Sequence, residues 1–212
     1  MNDIVFTWHS TNDSILGFEH GLKLAQASDA KSLLILACSD NNFTEQQINP
    51  MITRCTLPIF GGVYPKLIYK NQVISLGYII IGFQQTAEVS LITQLSALAT
   101  DEQLEQSIEE MLHNQSQFTK NGSFLMFYDA LINNIEPFVN CLFSCLDNQI
   151  KIIGGGAGNL EFKQKTCVFT NQGLLSDVVQ LVNLHRKMIT SATHGWQILK
   201  GHFLSLKHKI KQ

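Results

Sequence analysis

The sequence predicts an α/β protein of mixed sheets with covering helices, arranged as two related lobes. Three observations carry that prediction. Apolar runs of strand length alternate with segments whose apolar residues recur every three to four positions, as in strands interleaved with amphipathic helices. The order strand, helix, strand, helix, strand, hairpin then reads twice along the chain. Finally, three short segments recur in the same order: Ile48-Asn49-Pro50 with Ile135-Glu136-Pro137, Ile59-Phe60-Gly61-Gly62 with Ile152-Ile153-Gly154-Gly155, and Tyr69-Lys70-Asn71-Gln72 with Phe169-Thr170-Asn171-Gln172. Ordered matches of this kind point to an internal duplication. Residues 1–212 then form one domain, with pseudo-repeats at about 1–85 and 86–185 and a basic segment at 186–212.

In the first half, residues 4–8 (Ile-Val-Phe-Thr-Trp) make a strand. The polar cluster at 10–13 supplies helix N-caps, and Ile15, Phe18, Leu22 and Ala25 carry the apolar stripe of the helix behind it. Residues 33–37 are a continuous apolar run, as expected of a strand covered on both faces. A polar loop, Cys38-Ser39-Asp40-Asn41-Asn42, leads to a short helix expected to be capped by Asn49 with Pro50 at its first position. Residues 57–60 form the next strand and end in Gly61-Gly62; residues 66–70 and 73–83 read as a hairpin turned at Asn71-Gln72.

In the second half, residues 89–93 alternate like a strand, and Thr100-Asp101-Glu102-Gln103 is a capping box for a helix striped by Leu104, Ile108, Met111 and Leu112. A strand at 124–128 ends at Asp129, a helix runs through 137–146, and a strand at 150–153 meets four glycines within five residues, Gly154-Gly155-Gly156-Ala157-Gly158, followed by Asn159. A hairpin spans 162–184.

Composition excludes several classes. With 45% apolar and 15% charged residues the chain is globular, and a net charge of −2 argues against a phosphate-binding surface. No nucleic-acid partner is expected. After Asp177 every charge is basic (Arg186, Lys187, Lys200, Lys207, Lys209, Lys211), which is either a solvated tail or a contact for an acidic partner. Five cysteines without a Cys-x-x-Cys pair suit reduced thiols in the cytosol, and the seven scattered histidines predict no metal site. The N-terminus lacks the basic start and apolar run of a signal peptide, and the greasiest window, 73–83, is eleven residues long, too short for a bilayer. A cytoplasmic protein without a membrane partner is the expectation.

The glycine run marks either a tight turn or a place where a small group lies against the main chain. It does not fit a dinucleotide fingerprint. Asn159 stands where that motif needs Gly or Ala, and residues 160–169 alternate like a strand where a helix should receive the pyrophosphate. No Lys-Ser or Lys-Thr completes a phosphate loop, so no cofactor is expected. Cys38, Ser39 and Asp129 follow central strands, at the carboxyl edge where open α/β sheets bind ligands, provided that strands 33–37 and 57–60 lie parallel. Cys38 or Ser39 as a nucleophile would need a base within reach, and no histidine stands in a partner motif. His194-Gly195-Trp196 reads as a turn with a packed aromatic.

The strand leading to Gly154-Gly155-Gly156-Ala157-Gly158-Asn159, followed by Thr166-Cys167-Val168-Phe169-Thr170-Asn171, resembles the N-terminal region of FIST domains. Thr193-His194-Gly195-Trp196 is similar to that family's His-Gly-Trp segment, Gly61-Gly62-Val63-Tyr64-Pro65 to its earlier Gly-Gly turn, and Leu34-Ile35-Leu36-Ala37-Cys38-Ser39 to the strand before its first loop. The resemblance implies a sensory module of signalling proteins that binds a small polar ligand such as an amino acid, without catalysis. It also implies a signalling partner, and a FIST N-terminal domain lacking the C-terminal domain that usually follows. On that basis the ligand-binding candidates are Ser39, Gly61, Gly62, Tyr64, Asp129, Gly154, Gly155, Gly156, Gly158 and Asn159. Backbone N–H groups of the glycine turns would hold a polar or anionic group, with Ser39, Asp129 and Asn159 selecting orientation and Asp129 meeting a ligand amine. The competing readings are a thiol- or hydroxyl-dependent enzyme at Cys38 or Ser39, and a ligand-free interaction scaffold.

Overall fold

Alternating apolar strands with one-sided helices leave each sheet one face for helices and one for another sheet, and the chain uses both. A computed structural model describes residues 3–98, 100–113, 123–146, 150–186, 188–189 and 191. The first half runs β1 (Ile4–Ser10), α1 (Ile15–Gln26), β2 (Ser32–Cys38), α2 (Glu45–Ile52), β3 (Ile59–Tyr64), β4 (Leu67–Tyr69), β5 (Gln72–Ile74) and β6 (Tyr78–Phe83). The second runs β7 (Glu88–Thr93), α3 (Asp101–His113), β8 (Ser123–Asp129), α4 (Ile135–Cys145), β9 (Lys151–Ala157), β10 (Val168–Thr170), β11 (Gly173–Leu175) and β12 (Val178–Asn183). The fold class is the mixed α/β predicted.

One sheet has the order β1-β6-β2-β3-β10-β11, the other β7-β12-β8-β9, and β4-β5 is a separate hairpin. Within each half the pairing has the same sense: the first strand antiparallel to the last, the last antiparallel to the second, the second parallel to the third. Strands 33–37 and 57–60 do lie side by side and parallel. The halves nevertheless interlock. The β10–β11 hairpin belongs to the second half, but it extends the first-half sheet by pairing with β3 at Gly62.

Three cores follow from this arrangement. Phe18 and Leu22 of α1 and Ile48 and Ile52 of α2 pack on Leu33, Ile35, Ile59 and Ile80, with Phe169 and Leu174 of the visiting hairpin among them. Leu104, Ile108, Phe138 and Leu142 of α3 and α4 cover the second sheet. Between the sheets lie Phe60, Phe127, Ala157, Val168, Val178 and Val182, and the Phe60 and Phe127 rings approach to 6.1 Å between centroids. The layers are therefore helices, sheet, sheet, helices. Among the described residues no helix is long and apolar enough to cross a membrane.

One polar side chain crosses the middle of this apolar stack. Gln180 of β12 is fully buried. Its Oε1 accepts the Gly61 N–H at 3.1 Å, and its Nε2 donates to the carbonyls of Ile59 (3.3 Å) and Phe169 (3.2 Å). It thus joins the second sheet to β3 and β10 of the first. Gly61, at φ 127°, is in a conformation that side-chain-bearing residues avoid, and a Cβ there would collide with the Ile35 carbonyl.

Several local expectations are corrected. Gly61-Gly62 and Gly154-Gly155-Gly156 lie inside strands β3 and β9 and not in turns after them, and at Gly61 and Gly154 a neighbouring backbone passes too close for a side chain. A Cβ on Gly154 would strike the Met126 carbonyl of β8. The single strand expected at 73–83 is broken at Gly77, whose backbone turns (φ 115°) to exchange two 2.7 Å hydrogen bonds with the Asn41 amide. Residues 158–167 form no strand. Their alternation is carried partly by Leu160 and Phe162, which are 67% and 78% exposed. Helix α2 begins earlier than expected, with Gln47 accepting from the Thr44 N–H, and Pro50 lies inside it. Asn49 does not cap it but accepts the Leu174 N–H of β11 at 2.8 Å. The Thr100–Gln103 capping box forms as read. His194-Gly195-Trp196 and the lysines from 187 onward lie outside the described residues, while Arg186 pairs with Asp3 at 3.1 Å.

Gln180→Leu should destabilise the protein by about 2–4 kcal/mol in urea unfolding, since it strands a buried N–H and two carbonyls. Gly61→Ala should cost at least about 2 kcal/mol. Gly155→Ala, where a Cβ would meet nothing within 4 Å, should stay within about 1 kcal/mol of wild type.

Candidate functional site

Parallel pairing of β2 with β3 and of β8 with β9 aligns the carboxyl ends of these strands, so the loops that leave them meet. The first is the segment after β2, from Ser39 through a short 3-10 turn to Thr44, with Asn42 in the left-handed region at φ 50°. The second is the ten-residue loop from Gly158 to Cys167. Gly158 fastens the second loop to β3, its N–H donating to the Val63 carbonyl at 2.8 Å.

A crevice lies between them. Its inner end is narrow, about 30 Å³, and is lined by Cys38, Ser39, Val63, Gly158, Asn159 and Cys167. Asn42, Phe43, Lys165 and Thr166 also border this end and continue into an outer cavity of about 370 Å³ that adds Thr44, Glu45 and Gln46. The combined rim presents hydroxyls, amides, one carboxylate and one ammonium group. Among the described residues Lys165 takes part in no ion pair.

Of the residues singled out from sequence, Ser39, Gly158 and Asn159 border this crevice. The Asn159 side chain is spent on its own loop: Nδ2 donates to the Lys163 carbonyl at 2.8 Å and Oδ1 accepts the Lys163 N–H at 3.2 Å. Gly61, Gly62, Gly154 and Gly156 are each crowded where a Cβ would stand, by Ile35, Ala157, Met126 and Ala130 respectively. Gly155 lies on the open edge of β9. Tyr64 sits beside Cys38 in the β2·β3 register, and burial pushes its phenol far up, helped by the neighbouring Cys167 and Tyr128.

Asp129 is 1% exposed and fully engaged. Its Oδ1 accepts the Leu131 N–H at 3.0 Å, and its Oδ2 accepts the Asp177 N–H at 2.9 Å and a hydrogen bond from Gln164 Nε2. It pins the 158–167 loop and the turn before β12 to the end of β8, so its carboxylate organises the site from below. Burial, reinforced by the Asp129 charge, pushes the Cys167 thiol far up. Cys38 is 1% exposed, donates to the Ile74 carbonyl at 3.5 Å, and has its thiol raised by burial, with Asp40 adding to the effect. Buried cysteines with raised thiols are poor nucleophiles. Among the described residues no cluster of His, Cys, Asp and Glu could hold a metal.

Sequence reasoning missed Lys165, Thr166 and the stretch from Asn42 to Gln46 that leads into α2. The available signal was the polar run Glu161 to Thr166, in which charged and amide side chains dominate. Reading it as a strand hid a ten-residue loop, and loops of that length often carry function.

A family model, the FIST N domain, matches residues 32–204, from the first residue of β2 onward. The chain therefore belongs to the FIST domain family, whose members are sensory domains of signal transduction. No curated protein matches the chain.

Asp129→Ala should lower stability by roughly 2–4 kcal/mol in urea unfolding, because two backbone N–H groups lose a buried acceptor. Asp129→Asn, which keeps an acceptor oxygen, should recover part of that loss.

Proposed function

We propose that the crevice between the 39–46 and 158–167 loops is the sensory site of this FIST domain and takes a small polar ligand carrying an anionic group, such as an amino acid. The observation that carries the reading is the convergence of Ser39, Asn42, Thr44, Lys165 and Thr166, drawn from both halves of the chain, around one concave space. Its outer volume of about 370 Å³ falls in the range of roughly 300–1,000 Å³ typical of small-molecule sites. Lys165 supplies the cation for a carboxylate, and Thr166 and Ser39 supply hydroxyls that donate or accept. Glu45 on the rim offers a partner for a ligand ammonium, the role that sequence assigned to Asp129.

Such a ligand touches both loops at once, so it stabilises the native state by linkage and favours whichever relative placement of the loops binds it best. That is the requirement for a sensor: the ligand must distinguish two states for a partner to read. A signalling protein is the proposed reader, and the cytoplasm the proposed compartment. The raised thiol of Cys38 and its near-complete burial favour the sensor over a thiol-dependent enzyme.

The test is a thermal-shift screen with amino acids and small carboxylates. At least one compound should raise the melting temperature in a saturable way, and Lys165→Ala should weaken its binding about tenfold or more. No shift across the panel, or a shift unchanged in Lys165→Ala, would reject this site.

A further inference from the structure

We propose that two copies of this chain associate by exchanging hairpins, the β4–β5 hairpin of each pairing with the open edge of β9 in the other. The template for the contact lies within the chain. In the first-half sheet the outer edge of β3 is closed by β10–β11, with Val168 opposite Gly62 and the Val63 N–H donating to the Cys167 carbonyl at 2.7 Å. In the second sheet the strand at the same place is β9, which among the described residues pairs with β8 alone.

The two edges match in register. Gly61 faces Ile35 and Gly62 faces Leu36 across β2·β3; Gly154 faces Met126 and Gly155 faces Phe127 across β8·β9. Gly61 and Gly154 are both held at the carbonyl of the residue they face. Gly155 thus stands where Gly62 receives a strand, with no atom of the described residues within 4 Å of its missing Cβ, and Ile153 two positions before it is 46% exposed. Beyond Lys151 at its start β9 carries no charge and no proline, and an edge so lightly guarded invites strand addition.

The two hairpins match as well. The cross-strand pair Phe169–Leu174 in β10–β11 corresponds to Ile68–Val73 in β4–β5. Phe169 and Leu174 are 0% and 1% exposed because they enter the helix-side core of the sheet they extend. Ile68 and Val73 are 76% and 65% exposed. Asn171, at the turn of the docked hairpin, clamps the entry to β3 through the Ile59 N–H (2.8 Å) and the Leu57 carbonyl (2.9 Å). In the same register the first turn position of β4–β5 is Lys70, which is exposed. In its own chain this hairpin rests on Cys38 and Ile79 through Leu67, and Tyr69 stacks on His9 at 4.0 Å, so its outer apolar pair is left for another molecule. A reciprocal exchange is isologous and closes at two copies.

Sedimentation analysis from about 1 to about 100 μM should show a monomer–dimer equilibrium for the wild-type chain. Ile68→Lys and Ile153→Lys, both at exposed positions, should each leave a folded monomer by circular dichroism. A mixture of the two should dimerise again at the upper concentrations, since each mixed pair keeps one intact junction. A wild-type chain that stays monomeric throughout, a dimer that survives either substitution, or variants that fail to associate when mixed would overturn the proposal.

Discussion

One buried amide sets how the two sheets of this protein lie against each other, alongside the strand pairing that joins the halves. Apolar packing between sheets is non-directional and tolerates sliding, as the phenylalanines and valines of the central layer would. Gln180 does not tolerate it. Fully buried, its amide satisfies Gly61, Ile59 and Phe169 together at 3.1 to 3.3 Å, and an offset of one sheet on the other would pull it from those partners. Gly61 makes the bond possible by turning its N–H toward the second sheet, a conformation that residues with side chains avoid. The crevice depends on that offset, because its two walls leave strands of different sheets.

Asp129 plays the complementary part at the rim. Where Gln180 fixes sheet against sheet, Asp129 fixes a ten-residue loop against a strand end, holding Gln164 immediately before Lys165 and Thr166. The loop residues that border the crevice are thereby presented from a rigid base. On the other wall, the Asn41 amide does the same for the segment after β2 by exchanging hydrogen bonds with Gly77. Neither group needs contact with a ligand to matter for binding.

Much of this architecture was legible in the sequence. The repeated element order was visible because apolar periodicity marks strands and helices directly, as at 33–37 and at Leu104, Ile108 and Met111. Both halves show the same order and sense of pairing, which is a statement about topology; descent from one unit is a separate inference from the segment matches. The roles of the glycines were not legible. Gly61 and Gly154 look the same in sequence whether they free a turn or make room for a neighbouring carbonyl, and the second role requires knowing which backbone lies alongside. The structural part played by Asp129 was hidden for a similar reason: a carboxylate at a strand end can meet a ligand or protein donors, and the donors here come from residues 131, 164 and 177. Lys165 and Thr166 were hidden by an alternation that placed Leu160 and Phe162 in solvent.

The visiting hairpin bears on how the chain reaches this state. The first-half sheet is finished by residues 168–175, and the bonds that secure them, Leu174 to Asn49 and Asn171 to Ile59, span more than a hundred positions of chain. During synthesis the outer edge of β3 therefore emerges long before its partner does, with Phe18, Ile48 and Ile52 still missing the Phe169 and Leu174 side chains that complete their core. Contacts so distant along the chain are slow to form, and an uncovered strand edge is a site for wrong partners in the interval. In the nascent first half the β3 edge is therefore open to strand addition by another chain until the hairpin at 168–175 arrives to close it.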